Sequence, residues 1–253
     1  MVNSEYRIIN LRGKKIVVTG AGSGIGRETA IVLSQLGARV IMLDLNEDGL
    51  NETFAVMVGT EHIIKTCDIT NYEDLPALVK GIVEVTGLID GLVHCAGISS
   101  RKPLNVLKAK GFQKVMDVNF YSFVELTRLF AKKSNLNNGA SIVVMSSISS
   151  IKGYKAKSEY CVSKAAVDAF VRCMALELAD RRIRINSVMP AEVLTPMAQK
   201  ACKMNEAFGT PDFNSPLGPT MPYEVANTIA FLLSDATKTI TGTSILIDGG
   251  ATI

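Results

Sequence analysis

Seven short apolar runs, each followed by a segment of helical periodicity or a turn, constrain this chain more than any other feature. Lys15-Ile16-Val17-Val18-Thr19 opens the series and leads into a helix over about Gly24 to Leu36. Arg39 to Asp44 and His62 to Asp68 come next, then Gly91 to His94, Ser141 to Met145, Arg184 to Val188, and Ser244 to Asp248. Near-continuous Val, Ile and Leu suits strands buried on both faces, and strands alternating with helices build βαβ units. The pattern predicts an α/β fold: one doubly wound, parallel, seven-stranded sheet with helices on both faces. With 253 residues, 47% of them hydrophobic, the chain fills one such domain, spanning 1–253, and leaves little over. There is no repeat and no linker. The rhythm breaks once, from about 190 to 222, where Pro196, Pro211, Pro216 and Pro219 fall between Pro190 and Pro222. A long irregular segment near the carboxyl ends of strands is the expected place for a substrate flap.

Directly after the first run comes Thr19-Gly20-Ala21-Gly22-Ser23-Gly24-Ile25-Gly26, which opens the first helix. Glycine lets a backbone turn sharply and approach a ligand closely, and a helix N-terminus offers free N–H groups to an anion. The spacing G-x-x-x-G-x-G makes Gly20, Gly24 and Gly26 the positions that count. The expected guest is the pyrophosphate of a dinucleotide, which makes the domain Rossmann-type. Asp44 ends the second run. A carboxylate there can accept from both ribose hydroxyls and repels a 2′-phosphate, while Ser23 brings no positive charge. The expected cofactor is NAD(H) rather than NADP(H).

Tyr160 and Lys164, within Ser158-Glu159-Tyr160-Cys161-Val162-Ser163-Lys164, stand four apart on a predicted helix and share one face. An ammonium beside a phenol favours the phenolate, so the tyrosine pKa is expected to fall. A phenol tuned in that way exchanges a proton with an alcohol or carbonyl oxygen.

Other chemistries find little support. The net charge is only +3, with Lys and Arg scattered, so no nucleic-acid or membrane partner is expected. No apolar run reaches bilayer length, and the first residues lack a signal-peptide core, which points to a cytoplasmic protein. Cys67, Cys95, Cys161, Cys173 and Cys202 form no C-x-x-C pair, so reduced thiols are expected and no metal site. His62 and His94 read as structural.

In sum the sequence resembles the short-chain dehydrogenase/reductase family over nearly its whole length. The matching elements are the Thr19–Gly26 turn, Asp68, Asp90 through Ala96-Gly97, Asn119, Ser146-Ser147, Tyr160-x-x-x-Lys164, Asn186 with Pro190, and Ile247-Asp248-Gly249-Gly250. The resemblance implies an NAD(P)-dependent oxidoreductase that moves a hydride between nicotinamide and a small secondary alcohol or ketone. It makes Tyr160 the general acid/base and Lys164 the holder of the nicotinamide ribose. Ser147 becomes the residue that polarises the substrate oxygen, with Ser146 its close rival, and Asn119 the holder of a water linking Lys164 to solvent. Around the cofactor it implies Asp68 at the adenine and Ile69 beside it. Cys95, Ala96 and Gly97 follow the fourth strand, and Ile25, Pro190, Val193 and Thr195 complete the set.

The chain departs from the family pattern twice. His94-Cys95 replaces Asn-Asn before Ala96-Gly97, and Ala191 replaces the glycine after Pro190, where a glycine-only backbone angle would strain alanine. A homotetramer or homodimer is implied. The rival activity is 3-oxoacyl-acyl-carrier-protein reductase; the rival class is a cofactor-binding scaffold without turnover. Pocket walls are expected at 98–101, at 149–154, and in the flap with Met197, Met204, Phe208 and Phe213. Arg101 and Lys102 are candidates to meet an anionic substrate.

Overall fold

The structure, a computed structural model, describes residues 9–199 and 215–253. Met204, Phe208 and Phe213, named above as flap walls, lie outside the described residues, as does Cys202. The strands are β1 (Lys15–Thr19), β2 (Arg39–Asp44), β3 (Ile63–Thr66), β4 (Ile89–His94), β5 (Leu136–Met145), β6 (Arg184–Pro190) and β7 (Ser244–Ile247). They form one sheet in the order β3-β2-β1-β4-β5-β6-β7, and every pairing is parallel. All seven expected strands are present. The third is shorter than the expected run, and the fifth begins earlier, at Leu136, because Ile89 pairs with Leu136 across a register shift.

Alternation along each strand divides the apolar side chains between two cores. Val17, Ile41, Leu43, Ile142 and Val144 face one layer, built by α3 (Leu75–Thr86), α5 (Ser122–Phe130) and α6 (Ser158–Glu177). Ile16, Val18, Val40, Met42 and Val143 face the other, built by α1 (Gly24–Gln35), α2 (Glu47–Ala55) and α7 (Pro222–Leu233). α4 (Ala109–Met116) continues through a π-helical stretch, Asp117–Tyr121, into α5.

β1 pairs with β2 on one side and with β4 on the other, so the winding of the sheet reverses between β1 and β4. The register sets Thr19 beside His94, and the two chains leaving those strands diverge above the sheet. Such a switch point opens a crevice at the carboxyl ends of the strands, where ligands of open α/β sheets bind.

The glycine turn fits this crevice for steric reasons. Gly20 and Gly24 have φ of +68° and +55°, the left-handed region that side chains rarely adopt. A Cβ on Gly26 would stand 2.1 Å from the Gly20 carbonyl oxygen, so α1 packs against the turn only if that position is bare. Gly26→Ala is expected to destabilise the fold by about 1–3 kcal/mol through overpacking, and urea unfolding followed by circular dichroism measures it. An unchanged midpoint would contradict this packing.

Candidate active site

Two connected cavities open over the switch point. The larger, about 870 Å³, runs from the glycine turn past Asp44 and Asp68 to the segment after β4. Gly20, Ser23, Gly24, Ile25 and Gly26 form one wall, and Ile69, Ala96 and Gly97 lie among the others. The smaller, about 160 Å³, is lined by Ser147, Tyr160, Lys164, Pro190 and Val193. Ile25, Cys95, Gly97, Thr195 and Met197 border both. Every residue assigned to the cofactor from the sequence therefore lines one cavity or the other.

The larger cleft fits a dinucleotide. A Cβ on Gly20 would lie 2.8 Å from the Ala96 backbone nitrogen, so bare backbone from two strand ends meets at its floor. The N-terminus of α1 faces the same space, as an anion requires. Both carboxylate oxygens of Asp44 accept backbone N–H groups, Oδ2 from Gly22 and Oδ1 from Asn46, each at 2.9 Å. The carboxylate is thus fixed at the cleft wall with lone pairs to spare. Asp68 caps its own loop, its Oδ1 accepting from the Thr70 N–H at 2.8 Å and the Thr70 hydroxyl at 2.7 Å.

At the smaller cavity, α6 carries Tyr160 and Lys164 across the ends of β5 and β6. Lys164 Nζ donates to the Met145 carbonyl oxygen at 2.7 Å and lies 5.6 Å from the centre of the Tyr160 ring. The Ser147 hydroxyl faces the Tyr160 phenol in the same cavity and lowers its pKa, and its oxygen accepts from the Ser149 N–H at 3.1 Å. Its rival Ser146 points away, donating to Asp168 Oδ2 at 2.9 Å. Asn119 is buried in the π-helical stretch. Its Nδ2 donates to the Ile98 carbonyl and to Ser163 Oγ, both at 3.0 Å, and its Oδ1 accepts from the Ile98 N–H at 2.8 Å. A methyl added to Gly97 would lie 3.3 Å from Asn119 Oδ1 and 3.7 Å from Lys164 Nζ, so both groups meet at that glycine.

One expectation is reversed. Burial pushes the Tyr160 phenol up to about 12, with the Ser147 hydroxyl pulling the other way. Desolvation outweighs the nearby lysine because the amine is aimed at the Met145 carbonyl and is itself buried. Burial in turn brings Lys164 down to about 8, opposed by Cys95 and Asp168.

The departures from the family pattern prove benign. His94 is buried, its Nδ1 3.1 Å from Thr19 Oγ1, and burial followed by the Lys164 charge lowers it to about 3, so it stays neutral. Burial raises the Cys95 thiol to about 12, which removes it as a redox nucleophile at neutral pH. Ala191 does not need a glycine: among the described residues only Ala156 and Arg182 are non-glycines at positive φ.

Several functional neighbours were not singled out in the sequence. Asp168, one turn beyond Lys164, is buried and also accepts from the hydroxyls of Ser187 at 2.6 Å and Ser244 at 3.2 Å. Its i+4 spacing from Lys164 was the available signal. Glu159 is buried and accepts hydrogen bonds from the Ser100 hydroxyl and from Lys102 Nζ, the latter at 3.3 Å. That pairing removes Lys102 as a candidate for a substrate anion. Lys157 and Glu192 line the smaller cavity. Among the described residues no cluster of His, Cys, Asp and Glu could hold a metal, and no helix is long and apolar enough to cross a membrane.

Comparison with known proteins agrees with this geometry. The family model described as enoyl-(acyl carrier protein) reductase matches residues 20–252. A 7α-hydroxysteroid dehydrogenase of Escherichia coli is 32% identical over 253 residues, covering 99% of this chain and 98% of the relative. A 3-oxoacyl-acyl-carrier-protein reductase of Thermotoga maritima is 34% identical, covering 97% of this chain and all of the relative. Among solved structures, a 7α-hydroxysteroid dehydrogenase complexed with NADH and 7-oxo glycochenodeoxycholic acid has a TM-score of 0.87 at 30% identity, covering 99% of this chain and 98% of that one. The chain belongs to the short-chain dehydrogenase/reductase family. It is an NAD(P)-dependent oxidoreductase that acts on secondary alcohols and the corresponding ketones.

The buried lysine has a stability cost with a defined pH window. Above pH 10.5 the amine is neutral folded or unfolded; below about 8 it is charged in both, and only the folded chain bears the desolvation. Lys164→Met is therefore expected to stabilise the protein at pH 7 by about 2 kcal/mol, after the lost hydrogen bond is subtracted. The gain should fade as the pH rises through that window. Equal stabilities of the two proteins at pH 7 and pH 10.5 in urea unfolding would contradict it.

Proposed function

We propose that this chain is an NAD(H)-dependent dehydrogenase/reductase in which Tyr160 is the general acid/base, with Ser147, Lys164 and Asn119 completing the catalytic set. The observation that carries the reading is the gathering of the Ser147 hydroxyl, the Tyr160 phenol and the Lys164 amine in one cavity that opens onto the dinucleotide cleft. When bound, the nicotinamide supplies the acceptor or donor of hydride. The protein's part is orientation and proton transfer. Ser147 and Tyr160 hold the substrate oxygen between two hydroxyls and stabilise the charge that develops there. In oxidation the carbinol proton passes to the Tyr160 oxygen; in reduction the phenol returns it. Lys164 holds the nicotinamide ribose, and Asn119 keeps the loop after β4 against α6, where a relay water would sit.

Asp44 supports NAD(H) over NADP(H): its fixed carboxylate suits ribose hydroxyls and repels a phosphate. The same residue argues against the 3-oxoacyl-acyl-carrier-protein reductase reading, which usually goes with a cation near the glycine turn. A scaffold without turnover has no use for a phenol set beside a serine hydroxyl in a cleft. The chain would work as one catalytic domain, in the cytoplasm, as a homotetramer or homodimer, on a small molecule.

Tyr160→Phe is expected to bind NADH with unchanged affinity, read by fluorescence, and to lose about 10²–10⁴ in turnover. Retained turnover would remove the phenol from the mechanism. Because the phenol must ionise before it can accept a proton, alcohol oxidation should accelerate as pH rises toward Tyr160's pKa, and ketone reduction should decline over the same range. Parallel profiles in the two directions, measured at 340 nm, would oppose this assignment.

A further inference from the structure

We propose that the substrate of this site is a small hydroxy acid, or its oxo acid, whose carboxylate is received by Lys157 with Arg101 behind it. The inference rests on the oxidoreductase reading above and names its substrate class. Lys157 stands immediately before α6, three residues ahead of Tyr160, and lines the same cavity as Tyr160 and Ser147. One helical turn separates residues so spaced, about 5–6 Å between their Cβ atoms. An anion seated on Lys157 is therefore joined to the reacting carbon by a short spacer.

Among the described residues the charges around this point are mostly positive. Lys157 and Lys152 lie 5.2 Å and 5.9 Å from the centre of the Tyr154 ring, which gathers both onto the loop before α6. Lys157 is held below the usual lysine range by burial and then by the charge of Arg101, while Cys161 and Glu192 pull the other way. Arg101 Nε is buried without a hydrogen-bond partner, a donor oriented into the protein and unused. Lys102 is already matched by Glu159, so it adds nothing to this field. Two cations brought together against their repulsion, beside one carboxylate, favour a ligand that carries its own negative charge. Ser99 and Ser149 on the same walls offer hydroxyls to a carboxylate.

The chemistry balances with the cofactor class already assigned. The carbinol C–H leaves as hydride to NAD⁺, the O–H proton goes to Tyr160, and an oxo acid and NADH result. The carboxylate itself is unchanged and serves only to orient.

A series of 2-, 3- and 4-hydroxy acids, each with its methyl ester, tests this with NAD⁺ and the unmodified protein. At least one acid is expected to exceed its ester in kcat/KM by about tenfold or more, since the ester keeps the shape and lacks the charge. In Lys157→Met, and to a smaller extent in Arg101→Gln, that ratio should collapse toward one through a raised KM for the acid. The matching oxo acid should also raise the melting temperature of the unmodified protein without cofactor, its methyl ester should not, and Lys157→Met should lose the shift. Esters and neutral alcohols turned over as well as, or better than, every acid would overturn the inference and leave the oxidoreductase reading standing. An unchanged acid-to-ester ratio in folded Lys157→Met would overturn it too. Turnover of no alcohol, acid or ester would overturn the proposed function itself, and this inference with it.

Discussion

The hydrogen bond from the Lys164 amine to the Met145 carbonyl is the contact on which the site turns. It joins the first turns of α6 to the end of β5, where the chain leaves the sheet for Ser147. Without it nothing would hold a charged amine in a pocket that burial makes hostile to charge. With it, helix and strand end are fixed in one relation, and the phenol four residues earlier is brought to the serine hydroxyl. Asp168 repeats the device one turn on, tying α6 through three serine hydroxyls to β5, β6 and β7. A buried carboxylate satisfied by hydroxyls is rigid as well as polar, and its charge partly offsets the desolvation of Lys164.

The two cavities divide the work along the same line. The glycine turn and the segment after β4 present backbone to the dinucleotide, and bare backbone can be approached closely. The end of β5 and the start of α6 present side chains to the substrate, where proton transfer needs them. Five residues shared between the cavities set the reacting carbon and the nicotinamide next to each other.

Most of the architecture could be read before any coordinates. The seven strands were legible because parallel strands covered on both faces are apolar throughout, and no helix on the surface has that composition. Gly20, Gly24 and Gly26 were legible because steric necessity leaves glycine no substitute there. Tyr160, Lys164 and Ser147 came through spacing and resemblance. The start of β5 escaped because Asn137-Asn138-Gly139 reads as a turn, whereas tertiary pairing with Ile89 draws the strand back to Leu136. The direction of the Tyr160 shift escaped for a similar reason. Spacing gives the distance to a cation, but not the depth of burial or the direction in which the amine points. Glu159 and Asp168 looked like ordinary helix surface, and only the docking of α6 against the sheet buries them. Lys157 looked like one more scattered charge until α6 placed it on the cavity wall.

The central claim is that a lysine fixed to the sheet sets the place of the Tyr160 phenol beside Ser147, and that burial there keeps the phenol protonated well above the ordinary tyrosine range. The direct measurement is the ionisation of Tyr160, followed by ¹³Cζ-tyrosine resonance as pH is raised in the free protein and assigned with Tyr160→Phe. The account predicts a midpoint of about 12, roughly two units above an exposed tyrosine. A Tyr160 midpoint at or below about 10 would contradict it.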